Sequence, residues 1–281
     1  MKTYLSSFSA VFTAALLLSA APSRAQDVIV RDTPPGAPGF SKSEQDYAKT
    51  DPKYFTIDRN SVTLKLLSFT EEPDMSYVKL QEQPPKDLGG ILVSIDQIVN
   101  IASKIWDIVQ QNQPVVNIDT KYATAYPMGV TSASQLSQWS RPKTFTYGFY
   151  AKNLYGSVMI DCKYKFSFSY NGAYKGKGKY LTGVAVIPTV AQVGWGYQFY
   201  MTAAVPDSTI TNVGTDTDPI AGMQMKLNWK MHTVLKEMDG TSIYYIQGDG
   251  YFEEIANPWK QAVKMEDVKS AAPLLAPEKL F

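Results

Sequence analysis

His232 is the only histidine in the chain. That removes the common zinc constellations, which need two or three imidazoles, and leaves at most one base for a Ser-His-Asp arrangement. No Gly-x-Ser-x-Gly turn, which would strain a serine into a nucleophile, accompanies it. The histidine falls in a run where Met225, Leu227, Trp229 and Met231 share one face, and Lys226, Asn228, Lys230 and His232 the other. A period of two places it on the wet side of a β-strand.

Carboxylates are the next source of chemistry. Asp249, Glu253 and Glu254 are the densest acidic grouping near an aromatic segment, and paired carboxyl groups at a set separation hydrolyse glycosides. They are the catalytic candidates if the protein is a carboxylate-dependent glycan hydrolase. Asp216 and Asp218 are the candidate calcium ligands. Pro219 stands where a calcium loop needs glycine for its sharp turn, and no bidentate Glu follows at the required spacing. The expectation is therefore no metal and no cofactor.

Two further groups suit binding rather than bond breaking. Lys175, Lys177 and Lys179 alternate with glycines between Tyr174 and Tyr180. Such a basic loop can engage an acidic polymer, or it can be a solvated turn whose lysines protect a sheet edge. It lacks the spacing of a nucleotide phosphate loop. Exposed aromatic rings present flat apolar contacts with a polar edge. Trp139, in a Ser/Gln-rich loop, and Tyr200 are the rings expected at the surface, whereas Trp195, Tyr197 and Phe199 share a face expected to lie inside.

The elements that must position these residues are mostly strands. Between Ser157 and Tyr170, Val158, Ile160, Cys162, Tyr164, Phe166 and Phe168 alternate with polar residues. That pattern belongs to an antiparallel strand with one buried face. At about 3.3 Å per residue it would run roughly 45 Å, long enough that a bulge is expected. Phe145, Tyr147 and Phe149 make the preceding strand, joined through Asn153-Leu154-Tyr155-Gly156. Asn171-Gly172 reads as the next corner, and Asp239-Gly240 as a two-residue hairpin between Met223–Lys236 and Thr241–Phe252. Leu181 to Ala191 and Trp195 to Ala203 complete the set.

Ahead of these, Val62 to Leu67 and Met75 to Leu80 read as short strands. From Gly90 to Gln111, Ile91, Ile95, Ile98, Ala102, Ile105 and Val109 recur at steps of three and four. This spacing predicts an amphipathic helix of about 20 residues. Asn257-Pro258 predicts the start of a short C-terminal helix.

The fold class expected is thus mainly β, an antiparallel β-sandwich with one amphipathic helix before the main sheet and a short C-terminal helix. An outer-membrane barrel has too few strands here and lacks loop asymmetry. The organisation reads as a signal peptide over 1–25, a flexible Pro/Gly-rich arm over 26–53, short strands plus the helix over 54–112, the sandwich body over 113–256, and a short helix and tail over 257–281.

The N-terminus predicts export: Lys2, an uncharged stretch from Phe8 to Ala21 with Ala14 to Leu18 at its centre, Pro22, and small residues flanking Arg24. The apolar run falls short of the roughly 20 residues that span a bilayer, so no transmembrane segment is expected in the mature chain, and its destination is the periplasm or the exterior. Without Lys2 and Arg24 the 27 basic residues fall to 25, against 26 acidic ones. So balanced a chain exerts no global pull on nucleic acid. Cys162 is the only cysteine, which forbids an internal disulfide.

Three classes remain. The first is a non-enzymatic exported binding or envelope-associated module for a glycan, an envelope component or a protein partner. The second is the carboxylate-dependent glycan hydrolase. The third is a structural subunit of a surface assembly, with the arm exchanged between neighbours.

Overall fold

A computed structural model describes residues 28–33, 39–81, 92–115 and 120–258. In chain order these form β1 (Ile29–Asp32), α1 (Lys42–Thr50), β2 (Thr63–Glu71), β3 (Ser94–Val99), β4 (Ile105–Gln110), β5 (Gln113–Pro114), β6 (Ala123–Met128), β7 (Lys143–Lys152), β8 (Val158–Tyr174), β9 (Lys177–Val193), β10 (Tyr197–Ala204), β11 (Thr211–Asn212), β12 (Ala221–Thr233), β13 (Lys236–Gln247) and β14 (Phe252–Ala256). One sheet is ordered β1-β13-β12-β10-β4-β5, with β11 on β12 and β14 on β13; the other is ordered β2-β7-β8-β9-β6-β3. The two antiparallel sheets pack against each other as a β-sandwich. The signal peptide and the C-terminal helix beyond Pro258 lie outside the described residues.

Alternation fills the interlayer. Tyr147, Phe149, Cys162, Tyr164, Phe166 and Phe168 meet Phe199, Met201, Met225, Leu227, Trp229 and Tyr244 from the other sheet, all buried. Tyr164 and Tyr244 join the sheets through a hydroxyl–hydroxyl hydrogen bond of 2.9 Å. Both are fully buried, and burial holds their phenols well above the usual tyrosine range. Pairing satisfies hydroxyls that would otherwise be left without water. β8 carries the expected irregularity, with its register against β9 shifting between Lys163 and Tyr164 and again beyond Ser167.

Several segments depart from expectation. The stretch 94–110 is two strands, not a helix. Its apolar residues are mostly β-branched, which suits a pleated half-buried surface, and Asn100 turns the chain between them. The Asn100 Oδ1 accepts hydrogen bonds from the amides of Ala102 (3.1 Å) and Thr124 (3.0 Å). The helix lies instead inside the segment read as an arm. Ser41 and Glu44 close a capping box at the start of α1, the Glu44 carboxylate accepting from the Ser41 amide at 2.7 Å. Earlier still, β1 pairs with β13 from Ile29↔Asp239 to Asp32↔Lys236, so a flexible arm misdescribes both stretches.

Residues 75–80 form a turn rather than a strand, ending in a bridge from Leu80 to Thr120. Asn171-Gly172 is not a corner: β8 continues through it, with Asn171 at φ 62°. The hairpin between β12 and β13 turns at Val234-Leu235, while Asp239-Gly240 sits inside β13. Gly240 is there because the Trp229 indole of the facing strand covers the place a Cβ would occupy. Trp195 is not interior. It is 49% exposed and packs edge-on against Tyr47 (5.7 Å) and Phe55 (5.6 Å) at one end of the sandwich.

Candidate functional site

The outward side chains of β10, β12, β13 and β1 meet in cross-strand rows fixed by register. Gln198 faces His232, which faces Glu237, which faces Arg31. Tyr200 faces Lys230, which faces Asp239. Thr202 faces Asn228, which faces Thr241. Because successive residues point to opposite faces, every one of these stands on the wet side while Phe199, Met201, Trp229 and Met231 fill the core behind them. The rows line an open concavity of about 630 Å³.

Its polar groups are tied together. The Thr202 hydroxyl donates to Asp107 (3.0 Å), and the Thr241 hydroxyl donates to the Asn228 Oδ1 (2.8 Å). Arg31 bridges Glu237 (3.3 Å) and Asp239 (3.0 Å), and Lys230 reaches Glu237 at 2.9 Å. At one end, Gly39 and Phe40 cross over the sheet. The Gln198 amide donates to the Gly39 carbonyl (2.7 Å) and its Oε1 accepts from the Tyr200 hydroxyl (3.2 Å). Gln198 is thereby buried despite its outward direction, and it fixes the rim of the Tyr200 ring.

The Phe40 ring stands edge-on to His232 with centroids 5.0 Å apart. Burial holds the His232 imidazole below its ordinary value; Glu237 opposes that shift and Lys230 adds to it. The buried Nε2 has no hydrogen-bond partner among the described residues.

The other candidates are dispersed. Asp249 lines a second groove, of about 460 Å³, with Phe69, Lys143, Phe145, Gly250, Tyr251 and Phe252. Its carboxylate accepts from the Tyr251 amide (3.1 Å) and so shapes its own turn. Glu253 is exposed and accepts from the Tyr251 hydroxyl (2.7 Å), whereas Glu254 lies on the opposite side of β14 and accepts from the Asn257 amide (3.0 Å). The three carboxylates do not converge on one space.

Asp218 accepts from the Gly178 amide (3.1 Å) and ties a loop to the base of a hairpin; Asp216 is exposed in that loop. No cluster of three metal-ligating side chains occurs among the described residues. Lys175 and Gly176, at φ 50° and 78°, form the tip of the β8–β9 hairpin, with the Lys175 ammonium 5.3 Å from the Tyr174 ring centroid. Lys177 is exposed at the start of β9, and the Lys179 amide donates to the Pro219 carbonyl (2.8 Å). Lys175 thus stands at a hairpin tip, with Lys177 and Lys179 in the strand that leaves it.

Trp139 packs against the core, its indole N–H donating to the Ala133 carbonyl (3.2 Å) and its ring covering Gly172. Of the two rings expected at the surface, Tyr200 is the one set in a concavity. Gln198, Thr202, Asn228, Thr241 and Arg31 were not singled out by sequence. Alternation gives their side of the strand, but only the pairing register brings them together.

No helix among the described residues is long and apolar enough to cross a membrane. Comparison with known proteins finds no match to a family model, a curated protein or a solved structure.

Proposed function

We propose that this protein is an exported, non-catalytic binding module, and that its ligand lies on the outer face of the eight-stranded sheet around Tyr200. One observation carries the reading: three cross-strand rows of hydrogen-bonding side chains, already fixed by their own contacts, surround a single aromatic ring in a shallow concavity. Prearranged groups lose little conformational entropy when a ligand arrives, which is where binding sites gain affinity. A concavity this open suits a ligand laid along the surface. Export rests on the order of charge, apolar run and small residues at the N-terminus.

The test is retention of the protein, from Gln26 onward, on a panel of immobilised glycans, peptidoglycan and envelope fractions, with product analysis in every well. Tyr200→Ala should weaken retention about tenfold, or ~1.4 kcal/mol, while thermal stability stays within about 1 kcal/mol of the parent. Tyr200→Phe should keep most of the retention, since the ring remains. Unchanged retention in Tyr200→Ala would place the ligand elsewhere, and new products would make the protein an enzyme.

A further inference from the structure

Resting on that reading, we infer that the ligand is a neutral, hydroxyl-rich polymer, an uncharged polysaccharide, and neither an anionic polymer nor an apolar protein surface. Charge carries the first half of the argument. The ionised groups in and beside the concavity compensate one another: Arg31 and Lys230 are bound to Glu237 and Asp239 at 2.9 to 3.3 Å. The next ionised side chains on the same face are Asp107, which holds the Thr202 hydroxyl, and Lys226 one row away, and they are of opposite sign. Burial favours the neutral form of the His232 ring, so it adds no fixed cation to this balance. Within the concavity an anionic chain would have to break ion pairs to find a cation, and the balanced charges there give it little steering.

The lining supplies the second half. Among the described residues, and apart from the inward-facing Trp229, it contains no Leu, Ile, Val, Met, Phe or Trp side chain; it is built from Gln198, Tyr200, Thr202, Asn228, Lys230, His232, Asp239, Gly240 and Thr241. Protein interfaces concentrate their energy in desolvated apolar and aromatic clusters at the centre; here the exposed apolar side chains of the face, Ile29 and Ile105, stand outside the lining. A sugar ring presents hydroxyls around its rim and C–H groups on its faces. Tyr200 offers the flat surface for the C–H face. The Asn228 Nδ2, without a partner among the described residues, and the Thr202 and Thr241 hydroxyl oxygens offer donors and acceptors beside it.

The geometry also fits more than one sugar unit. With Gln198 buried under Gly39, the rows of Tyr200 and Thr202 stay open, roughly 7 Å apart along the strands, and three strands span about 10 Å across them.

The experiment is affinity electrophoresis of the protein from Gln26 onward in native gels cast with dextran, mannan, laminarin, alginate or heparin, each at low salt and at about 0.3 M salt. Salt at that level screens exposed charge beyond a few ångströms. The expected result is retardation in at least one of the three neutral polymers, little changed by salt, and at least fivefold weaker with Tyr200→Ala. Retardation confined to alginate or heparin and lost at high salt would overturn the neutral-ligand inference while leaving a binding module in place. Binding of the same protein to peptidoglycan or an envelope protein fraction, with no retardation in any gel, would overturn it equally. No retardation in any gel and no retention on any envelope fraction would remove the binding reading itself, and the inference with it.

Discussion

A single imidazole makes this fold sensitive to acid in a way that can be read off its neighbours. Burial beneath Phe40 favours the neutral form of His232, so its folded value lies below the ordinary 6.5, with Lys230 of the same strand reinforcing the shift and Glu237 of β13 opposing it. Above the unfolded value both states hold the ring neutral and the histidine costs nothing. As pH falls through 6.5 toward the folded value, the unfolded chain takes up a proton that the fold resists, and stability declines. Thermal unfolding followed from pH 7.5 to 5.0 should therefore show a smaller fall in Tm for His232→Gln than for the parent. An identical fall in both would mean that the ring gains as much from Glu237 as it loses by burial.

Glycines in strands and turns separate two kinds of constraint. Gly176, at φ 78°, has open space where a Cβ would be, so Gly176→Ala meets only backbone strain, about 1 kcal/mol. Gly240 lies in β13 at ordinary φ, but a Cβ there would enter the Trp229 indole, and Gly240→Ala should cost more, about 1–3 kcal/mol of overpacking. Denaturant titration of both variants would check this. Equal losses would show that the indole can move aside.

The same residue marks a limit of legibility. Asp239-Gly240 has the composition of a hairpin turn, and what overrides it is an indole from the next strand, which the local sequence does not encode. β7, β8 and β12 were legible because each has one dry and one wet face, and alternation records that difference directly. The segment 94–110 was not. Two short β-branched strands separated by the Asn100 turn reproduce steps of three and four by coincidence of length. Nor was α1 evident from periodicity, since its one buried residue is Ala48; Ser41 and Glu44 were its only sequence signal. Of the candidate face, Asn228, Lys230 and His232 could be assigned a side, and Tyr200 a place at the surface. Their alignment depends on the register between β10 and β12, of which the alternation of each strand fixes only the parity.

At the scale of the whole molecule, Cys162 is a reporter. It sits in β8 at the centre of the sandwich, fully buried, with its thiol pushed up to about 12, first by burial and second by Asp161. A thiolate is the reactive form, so the native protein should resist a disulfide reagent at pH 8. Its labelling rate should rise with denaturant along the global unfolding curve. Prompt labelling of the folded chain would reveal local opening of the six-stranded sheet.

The β13 strand has a further consequence. On its side away from β12 it is covered by both ends of the described chain: β1 pairs at Lys236–Asp239 and β14 at Ile243–Ile246. Arg31 and the Asp239 it binds are 208 positions apart in sequence. A ribosome delivers β1 long before its partner, so the eight-stranded sheet cannot be finished until β13 and β14 have emerged. The first strand must wait unpaired until β13 has been made, some two hundred residues later.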